Sequence, residues 1–181
     1  LAVVVLSAGA QPLWNEDRTV AVIANGEIYN HPELRKELED LGHRFSTDHC
    51  DTEELVHGYE AWGEQMVERL NGMWAFAIYD CRKRRILLSR DRFGKKPLYY
   101  TKQGEVFAFA SELSALSRHR AVRCDLDRLS AKKYFAYGFI PAPRTLYAQV
   151  CKLPAGCNLL FDMQSRDVQV QQYWDFVIEP F

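Results

Sequence analysis

The spacing of apolar residues predicts a helix that follows Pro32. Leu34, Leu38 and Leu41 recur at intervals of four and three residues, which places them on one helical face. Pro32 stands at the start of this run and Gly42 directly after it, in the order that helices prefer. We therefore predict a helix that begins at Pro32, buries the three leucines and stops at Gly42.

A second helix is predicted from Asp51 onward. Its apolar residues again recur at helical spacing: Leu55, Tyr59 and Trp62. The carboxylate of Asp51 can cap this helix, and Glu54 three residues later completes a capping pattern. Gly63 is the predicted stop.

Beyond Met73 the chain changes to short apolar runs that are typical of strands. Strands are predicted over residues 73–79, 85–89, 97–100, 106–110, 150–153 and 158–161, in addition to strand-like runs at 1–6 and 20–24. Two further helices are predicted at 112–116 and 127–137, and Gln103-Gly104 is typical of a tight turn. Short strands at this spacing indicate an α+β fold in which antiparallel sheets pack on each other with helices outside.

Composition narrows the classes of protein to which the chain can belong. Its 181 residues are 48% hydrophobic and 26% charged, which suits one globular domain. With 23 basic and 24 acidic residues the net charge is -1, so no strong field attracts nucleic acid or an anionic membrane. No apolar stretch approaches the roughly 18 residues that span a bilayer, and the first residues given lack the basic flank of a secretory signal. We predict a cytoplasmic protein whose five scattered cysteines are reduced thiols.

The candidate chemistry lies at the end of the run from Val20 to Ala24. Asn25 offers a side-chain N–H there and Gly26 a backbone N–H, which together can stabilise negative charge on the carbonyl oxygen of an amide substrate. A residue without Cβ also allows a substrate to approach closely. An ordinary Asn-Gly turn is the alternative explanation for the same pair.

Two carboxylates add to this candidate site. Glu27 and Asp51 suit the ammonium group of an amino-acid ligand, through charge-assisted hydrogen bonds. Each has an alternative role. Asp51 can cap the second helix, and Glu27 can face water or pair with a basic residue.

Other polar segments have simpler explanations. Arg82 to Arg85 lies between two apolar runs and predicts a solvated hairpin turn, although its charge could also contact phosphate. The segment Arg90 to Tyr100 lacks P-loop spacing and predicts a turn closed by Arg-Asp pairing. The five histidines (31, 43, 49, 57 and 119) show no ligand spacing, so no metal is predicted. Cys50 has no histidine partner that the sequence can place beside it, which argues against a nucleophile.

Several ordered motifs together resemble one family. They are Gly9-Ala10-Gln11-Pro12-Leu13, Asn25-Gly26-Glu27-Ile28-Tyr29-Asn30, Cys50-Asp51-Thr52-Glu53, Leu70 to Ala77, Arg90 to Tyr100, Ser111-Glu112 and Leu153-Pro154-Ala155-Gly156. Over essentially all 181 residues the chain resembles the class II glutamine amidotransferase domain at the front of glutamine-hydrolysing asparagine synthetases. The resemblance implies the N-terminal-nucleophile hydrolase fold, a four-layer αββα sandwich of two antiparallel sheets.

The resemblance also implies roles for particular residues. Asn25 and Gly26 would form the oxyanion hole, and Asn25, Gly26, Glu27 and Asp51 would bind L-glutamine. The backbone of the first residues would border the same pocket: Leu1, Ala2, Val3 and Val4. Residues 1–175 would form the amidotransferase domain, with no metal and no cofactor, and 176–181 would begin a linker. The synthetase domain to which that linker leads would use ATP and Mg to amidate aspartate, in a homodimer that contacts neither nucleic acid nor membrane.

One departure from the family bears on activity. In the family a cysteine at the start of the mature chain attacks glutamine, and this chain begins with Leu1. We therefore expect an excerpt, incomplete at its N-terminus, that does not hydrolyse glutamine by itself although its parent does. Two alternatives stay open: a non-catalytic glutamine-binding or scaffold module, and a glutaminase domain that serves another acceptor.

Overall fold

A computed structural model of the protein describes residues 10–48 and 50–177. Nine strands are found in this part of the chain: β1 (Leu13–Trp14), β2 (Val20–Ile28), β3 (Gly72–Asp80), β4 (Arg85–Arg90), β5 (Tyr99–Gln103), β6 (Val106–Ala110), β7 (Cys151–Lys152), β8 (Cys157–Asp162) and β9 (Val168–Gln172). They form a six-stranded sheet in the order β1-β2-β3-β4-β8-β9 and a three-stranded sheet in the order β6-β5-β7. Every pairing is antiparallel.

The helices lie outside the two sheets. They are α1 (His31–Asp40), α2 (Glu53–Trp62), α3 (Met66–Arg69), α4 (Leu113–Ser117) and α5 (Arg128–Tyr137), with a 3-10 turn at Gly63–Gln65. Residues of α2 and α3 share a buried cluster with the six-stranded sheet, and Leu113 and Leu116 of α4 pack with the outer face of the three-stranded sheet. Among the described residues, no helix has the length and apolar character needed to cross a membrane.

Alternation along the strands explains why the sheets pack on each other. In β3, Trp74, Phe76 and Ile78 join the cluster on the helical side, whereas Ala75 and Ala77 face the second sheet. Successive side chains of a strand point to opposite faces, so one strand contributes to two cores. The arrangement of helix, sheet, sheet and helix confirms the predicted αββα sandwich.

The two sheets contribute side chains of different size to the core between them. Small alanines on β3 face aromatic side chains of β6, Phe107 and Phe109. Phe107 stacks on Phe161 of β8 with 4.1 Å between ring centroids. Large side chains of one sheet therefore fill the space that the small ones of the other leave open.

The prediction for the first helix is confirmed except at its end. Leu34 and Leu38 of α1 are buried, but Leu41 is 61% exposed. The helix stops at Asp40, and Leu41 belongs to the turn that closes it, with its N–H donated to the Glu37 carbonyl. Gly42 adopts a φ of +94° directly afterwards, so it ends the helix as predicted.

The second helix differs from its prediction at the start. It begins at Glu53, with Thr52 before it, and Asp51 makes no capping bond. The Asp51 carboxylate instead accepts a hydrogen bond from the Ile28 N–H across the chain, at 2.8 Å. The capping role predicted for Asp51 is therefore wrong, while Gly63 ends α2 as predicted with a φ of +62°.

Most strands occur where the short apolar runs predict them. The strand predicted at 97–100 instead begins at Tyr99, because the preceding residues belong to a loop that is bound to Arg90 and Asp91. Strand β9 was not predicted, since its glutamines give it little apolar character at the exposed edge of the sheet. The hairpin turn between β3 and β4 at Arg82 to Arg85 is confirmed. The strand-like run at 1–6 lies outside the described residues.

Candidate functional site

Asn25 and Gly26 lie inside a strand. Strand β2 continues past Ala24 as far as Ile28, and Asn25 pairs with Ala75 and Gly26 with Trp74 of β3. The alternative of an Asn-Gly turn is therefore wrong.

In the described part of the chain, the outer edge of β2 is only partly covered by another strand. Strand β1 has two residues, which pair no further than Val22. Beyond that point the amide side chain of Gln11 takes the place of a strand, because it accepts from the Ala24 N–H at 2.8 Å and donates to the Ala24 carbonyl at 3.0 Å. Further along, the Asp51 carboxylate accepts from the Ile28 N–H.

Gly26 lies midway between Ala24 and Ile28, the two residues whose N–H groups are bound by these side chains. Hydrogen-bonded and non-hydrogen-bonded pairs alternate along an antiparallel ladder, so the Gly26 N–H points to the same edge as those of Ala24 and Ile28. Within residues 10–48 and 50–177, no side chain accepts a hydrogen bond from this N–H. The strand edge thus offers one backbone donor between two that are already bound.

The Asn25 side chain lies beside a pocket between the two sheets. Asn25 is half-buried, on the strand face opposite to Val22 and Ile28. The pocket holds about 150 Å³. It is lined on the β2 and β3 side by Gln11, Ile23, Ala24, Asn25, Ala75, Phe76 and Ala77, and on the opposite side by Leu98, Phe109, Ala110 and Ser111. Its polar lining is concentrated at Gln11, Asn25 and Ser111, which suits a small ligand with an amide group.

The two candidate carboxylates lie toward the end of the same strand. Glu27 is exposed, and among the described residues no basic side chain forms an ion pair with it. Asp51 is half-buried, and the bond from Ile28 occupies only one of its oxygens. The structure therefore places Asn25, Gly26 and Glu27 consecutively on β2, with Asp51 held one residue further on.

Two parts of the site could not be seen in the sequence pattern. The strand-edge role of Gln11 depends on how short β1 is, although Gln11 belongs to one of the family motifs. Phe109 of β6 and Leu98 just before β5 line the pocket from the side of the second sheet, and only the packing of the sheets brings them near Asn25. The predicted contributors Leu1, Ala2, Val3 and Val4 lie outside the described residues, so their role stays a prediction.

Replacing Gly26 with alanine should lower the free energy of unfolding by roughly 2 kcal/mol, because the added methyl group overpacks the strand pair. A Cβ at Gly26 would lie 2.2 Å from the Met73 carbonyl oxygen and 2.7 Å from the Trp74 Cα, which are backbone atoms of β3. Across the ladder, a Cβ at Gly72 would lie 2.2 Å from the Glu27 carbonyl oxygen. Urea denaturation followed by circular dichroism measures the change.

The matched control for this variant is Gly58→Ala in helix α2. Its new Cβ would meet only side-chain atoms, at 3.5 Å or more, and alanine favours a helix. We expect Gly58→Ala to unfold at an equal or higher urea concentration than the parent chain. Equal stabilities of the Gly26 variant and the parent would contradict the close strand contact.

The loop between β4 and β5 is held by hydrogen bonds from side chains to backbone groups, which were not predicted. The guanidinium of buried Arg90 donates to the carbonyls of Lys96, Leu153 and Gly94 at 2.8, 2.6 and 2.7 Å. The Asp91 carboxylate accepts from three backbone N–H groups of the same loop, those of Phe93, Lys95 and Lys96. In the described part of the chain Asp91 forms no ion pair with either neighbouring arginine, so the predicted Arg-Asp pairing is wrong. Burial lowers the pKa of Arg90 below its ordinary value.

The structure also brings together a group of side chains that their spacing did not suggest. His57 and Glu60 lie three residues apart on α2, whereas His43 belongs to the segment before that helix, and one ligand atom of each lies within 4.8 Å of the others. The group lies on the helical side of the six-stranded sheet, on α2 and the segment before it.

Comparison with known proteins now identifies the family. A family model described as "Glutamine amidotransferase domain" matches residues 1–174. The chain belongs to this family. The resemblance in the sequence motifs and the two-sheet sandwich both agree with this membership.

Curated relatives of this amidotransferase domain share more than a third of its residues. It is 36% identical over 178 residues to Asparagine synthetase [glutamine-hydrolyzing] 3 of Bacillus subtilis, with 97% of this chain and 28% of that protein covered. It is 39% identical over 158 residues to Putative asparagine synthetase [glutamine-hydrolyzing] 2 of Methanocaldococcus jannaschii, covering 86% and 30%. The chain thus spans less than a third of the length of these relatives.

A solved structure supports the fold of the domain. The glutamine phosphoribosylpyrophosphate amidotransferase of B. subtilis, complexed with ADP and GMP, superposes with a TM-score of 0.63. The match covers 92% of this chain and 32% of that protein at 21% identity. At that identity the likeness shows the shared N-terminal-nucleophile hydrolase fold alone.

Proposed function

We propose that this amidotransferase domain binds L-glutamine and serves the glutaminase step of an asparagine synthetase. In that enzyme the released ammonia would pass to a second domain for ATP-dependent amidation of aspartate. The observation that carries the proposal is the Gly26 N–H, which no described side chain binds, directly after Asn25, which lines an inter-sheet pocket. The printed names of the relatives support the choice of asparagine as product.

The proposed chemistry places the γ-carbonyl oxygen of glutamine between two donors. The Asn25 side chain and the Gly26 backbone would each donate a hydrogen bond to this oxygen. When a nucleophile attacks the amide carbon, negative charge develops on the oxygen, and donors already in place lower the barrier. Because Gly26 is fixed in the β2–β3 ladder, its N–H needs no rearrangement during the reaction.

The two carboxylates would bind the other end of the substrate. The free oxygen of Asp51 and the exposed carboxylate of Glu27 are proposed to accept hydrogen bonds from the α-ammonium group. Asp51 is the better positioned of the two, since its bond to Ile28 fixes its orientation toward the end of β2.

The remaining parts of the proposal come from the family resemblance. The nucleophilic cysteine would precede Leu1 in a longer polypeptide, and the backbone of Leu1, Ala2, Val3 and Val4 would border the substrate. Residues 1–175 would form the domain and 176–181 the start of a linker to the synthetase domain. That second domain would hold ATP and Mg, and the whole enzyme would be a cytoplasmic homodimer.

Titration of the 181-residue chain with L-glutamine tests the proposed pocket. In two-dimensional NMR spectra we expect the Gly26 amide and the Asn25 side-chain amide to shift together with the amides of Phe109 and Ser111. L-Glutamate is the control ligand, because it replaces the carboxamide with a carboxylate. Shifts that spare Gly26 and Asn25, or equal responses to both ligands, would overturn the assignment.

Replacing Asp51 with asparagine should weaken glutamine binding roughly tenfold, since a hydrogen bond to the ammonium group loses its charge assistance. The asparagine side-chain oxygen can still accept from the Ile28 N–H, so we expect the fold to be retained. Calorimetric titration with L-glutamine measures the change. Asp48→Asn, at an exposed position of the same loop, is the matched control and should bind as the parent does. Identical affinities of the two variants would remove Asp51 from the pocket.

A further inference from the structure

The group formed by His43, His57 and Glu60 presents three ligand atoms to one point. His57 and Glu60 lie one turn apart on α2, and His43 precedes that helix. The Glu60 Oε2 atom lies 3.2 Å from Nδ1 of His57 and 3.8 Å from Nδ1 of His43. Two ring nitrogens and one carboxylate oxygen therefore converge on a common centre.

From these contacts we infer that His43, His57 and Glu60 form a binding site for a divalent transition-metal ion, for which Zn²⁺ is the best match. Bonds of about 2.0–2.1 Å in a tetrahedral site separate neighbouring ligand atoms by about 3.3 Å. The two separations from the Glu60 oxygen, 3.2 and 3.8 Å, lie on either side of that value, and the three ligand atoms together lie within 4.8 Å, so the histidines would move closer together around the ion. Two imidazole ligands favour Zn²⁺ and similar ions over Mg²⁺ or Ca²⁺, which prefer oxygen.

The atoms of His57 and Glu60 that face away from the centre are already engaged. The Glu60 Oε1 atom accepts a hydrogen bond from the Asn15 side chain at 2.6 Å. The Asn15 side-chain oxygen in turn accepts from the N–H groups of Thr19 and Val20, which fixes which end of the amide faces Glu60. Oε2 thus faces the two histidines, and its hydrogen-bond partner among the described residues is Nδ1 of His57 at 3.2 Å, a contact that the ion would replace.

A second carboxylate lies behind His57. The Nε2 atom of His57 lies 3.9 Å from Oε1 of Glu53. Glu53 is itself held by the backbone N–H groups of Ser46 and Thr47, at 2.6 and 2.9 Å. If this carboxylate approached Nε2 to hydrogen-bond distance on metal binding, it would hold the proton there and leave the lone pair of Nδ1 for the ion.

The site is closed on the side of His57 and open to solvent on the side of His43 and Glu60. The His57 side chain is 3% exposed, whereas those of His43 and Glu60 are 20% and 26% exposed. An ion can therefore enter between His43 and Glu60, and water can supply a fourth ligand. Three protein ligands and one water form a common zinc coordination.

A competing explanation is a protonated His57 held between two carboxylates. Burial lowers the pKa of His57, but the carboxylates of Glu53 and Glu60 outweigh it and raise this pKa above its ordinary value. This explanation accounts for both carboxylates near the ring. It does not account for His43, whose Nδ1 also faces the Glu60 oxygen.

Titration of the metal-free chain with Co²⁺ and with Zn²⁺ tests the site. We expect Co²⁺ to produce the intense visible absorption of tetrahedral coordination at one ion per chain, and Zn²⁺ to displace it. His43→Gln should weaken Zn²⁺ binding by roughly 100-fold or more. Loss of a residue that merely hydrogen-bonds to a metal ligand already lowers metal affinity, and loss of a ligand should lower it at least as much. His43 is accessible enough for this variant to keep the fold.

The matched control is His119→Gln, an exposed histidine elsewhere in the chain, which should leave metal binding unchanged. Absence of any Co²⁺ spectrum and of any Zn²⁺ heat would overturn the site in favour of a protonated His57. An octahedral Co²⁺ spectrum, or equal affinities of the His43 variant and the parent, would overturn it as well. The glutamine pocket takes no part in this experiment, so its outcome leaves the proposed function untouched.

Discussion

Replacing Asn25 with alanine in the proposed synthetase should lower glutamine-dependent turnover by roughly 10²- to 10³-fold, the usual cost of one lost oxyanion donor. The physical reason is the position of the side chain beside the inter-sheet pocket, next to the Gly26 N–H. With the amide removed, only the backbone donor is left to stabilise the developing charge. Steady-state kinetics with glutamine as nitrogen donor measures the effect.

Ammonia-dependent asparagine synthesis is the internal control for the Asn25 variant. Free ammonia bypasses the glutaminase step, so we expect this activity to be retained in full. A parallel fall of both activities would show that Asn25 supports the fold or the coupling of domains, and would remove it from the oxyanion hole. The urea midpoint of the isolated domain distinguishes these two explanations.

Replacing Arg90 with methionine should lower the free energy of unfolding by roughly 4 kcal/mol, because three hydrogen bonds from one charged donor to backbone carbonyls are lost together. The Arg90 guanidinium satisfies the carbonyls of Gly94, Lys96 and Leu153, which join the loop after β4 to the segment before β8. Methionine fills a similar volume but donates no hydrogen bond, so each of the three carbonyls would lose its donor. Urea denaturation measures the loss.

Arg82→Met is the matched control for the Arg90 variant. Arg82 is 70% exposed and pairs with Asp17 at the surface. Exposed ion pairs contribute about 0–1 kcal/mol, so this variant should unfold close to the parent. Similar midpoints for the two arginine variants would mean that the loop does not depend on the Arg90 network.

The α+β layering could be predicted from the short apolar runs of the strands and the helical spacing of the leucines, whereas the αββα order of the layers came from the family resemblance. Trp74, Phe76 and Ile78 differ from Ala75 and Ala77 in volume, and this difference alone distinguishes the two faces of β3. Strand β9 lacks an apolar run that would predict it, because its residues are mostly polar and exposed. The capping role of Asp51 at the start of α2 was predicted wrongly for another reason. Its carboxylate binds the N–H of Ile28, which is distant in sequence, and local spacing does not show such a contact.

The candidate site was predicted in its residue types but not in its geometry. Asn25 and Gly26 offer the right donors in any extended segment. Their availability depends on β1 ending early and on Gln11 binding Ala24, which are properties of strand pairing. The His43, His57 and Glu60 group was missed because a connecting segment folds back on α2, and sequence spacing does not show that return.

The close backbone contact at Gly26 and Gly72 limits how the pocket can diversify. A side chain at either position would meet backbone atoms of the other strand, so reshaping the two strands beside Asn25 costs stability. Changes in ligand size would have to be absorbed by the facing wall, at Leu98, Phe109 and Ser111. Directed evolution toward other amide donors should therefore randomise those three positions and keep both glycines invariant.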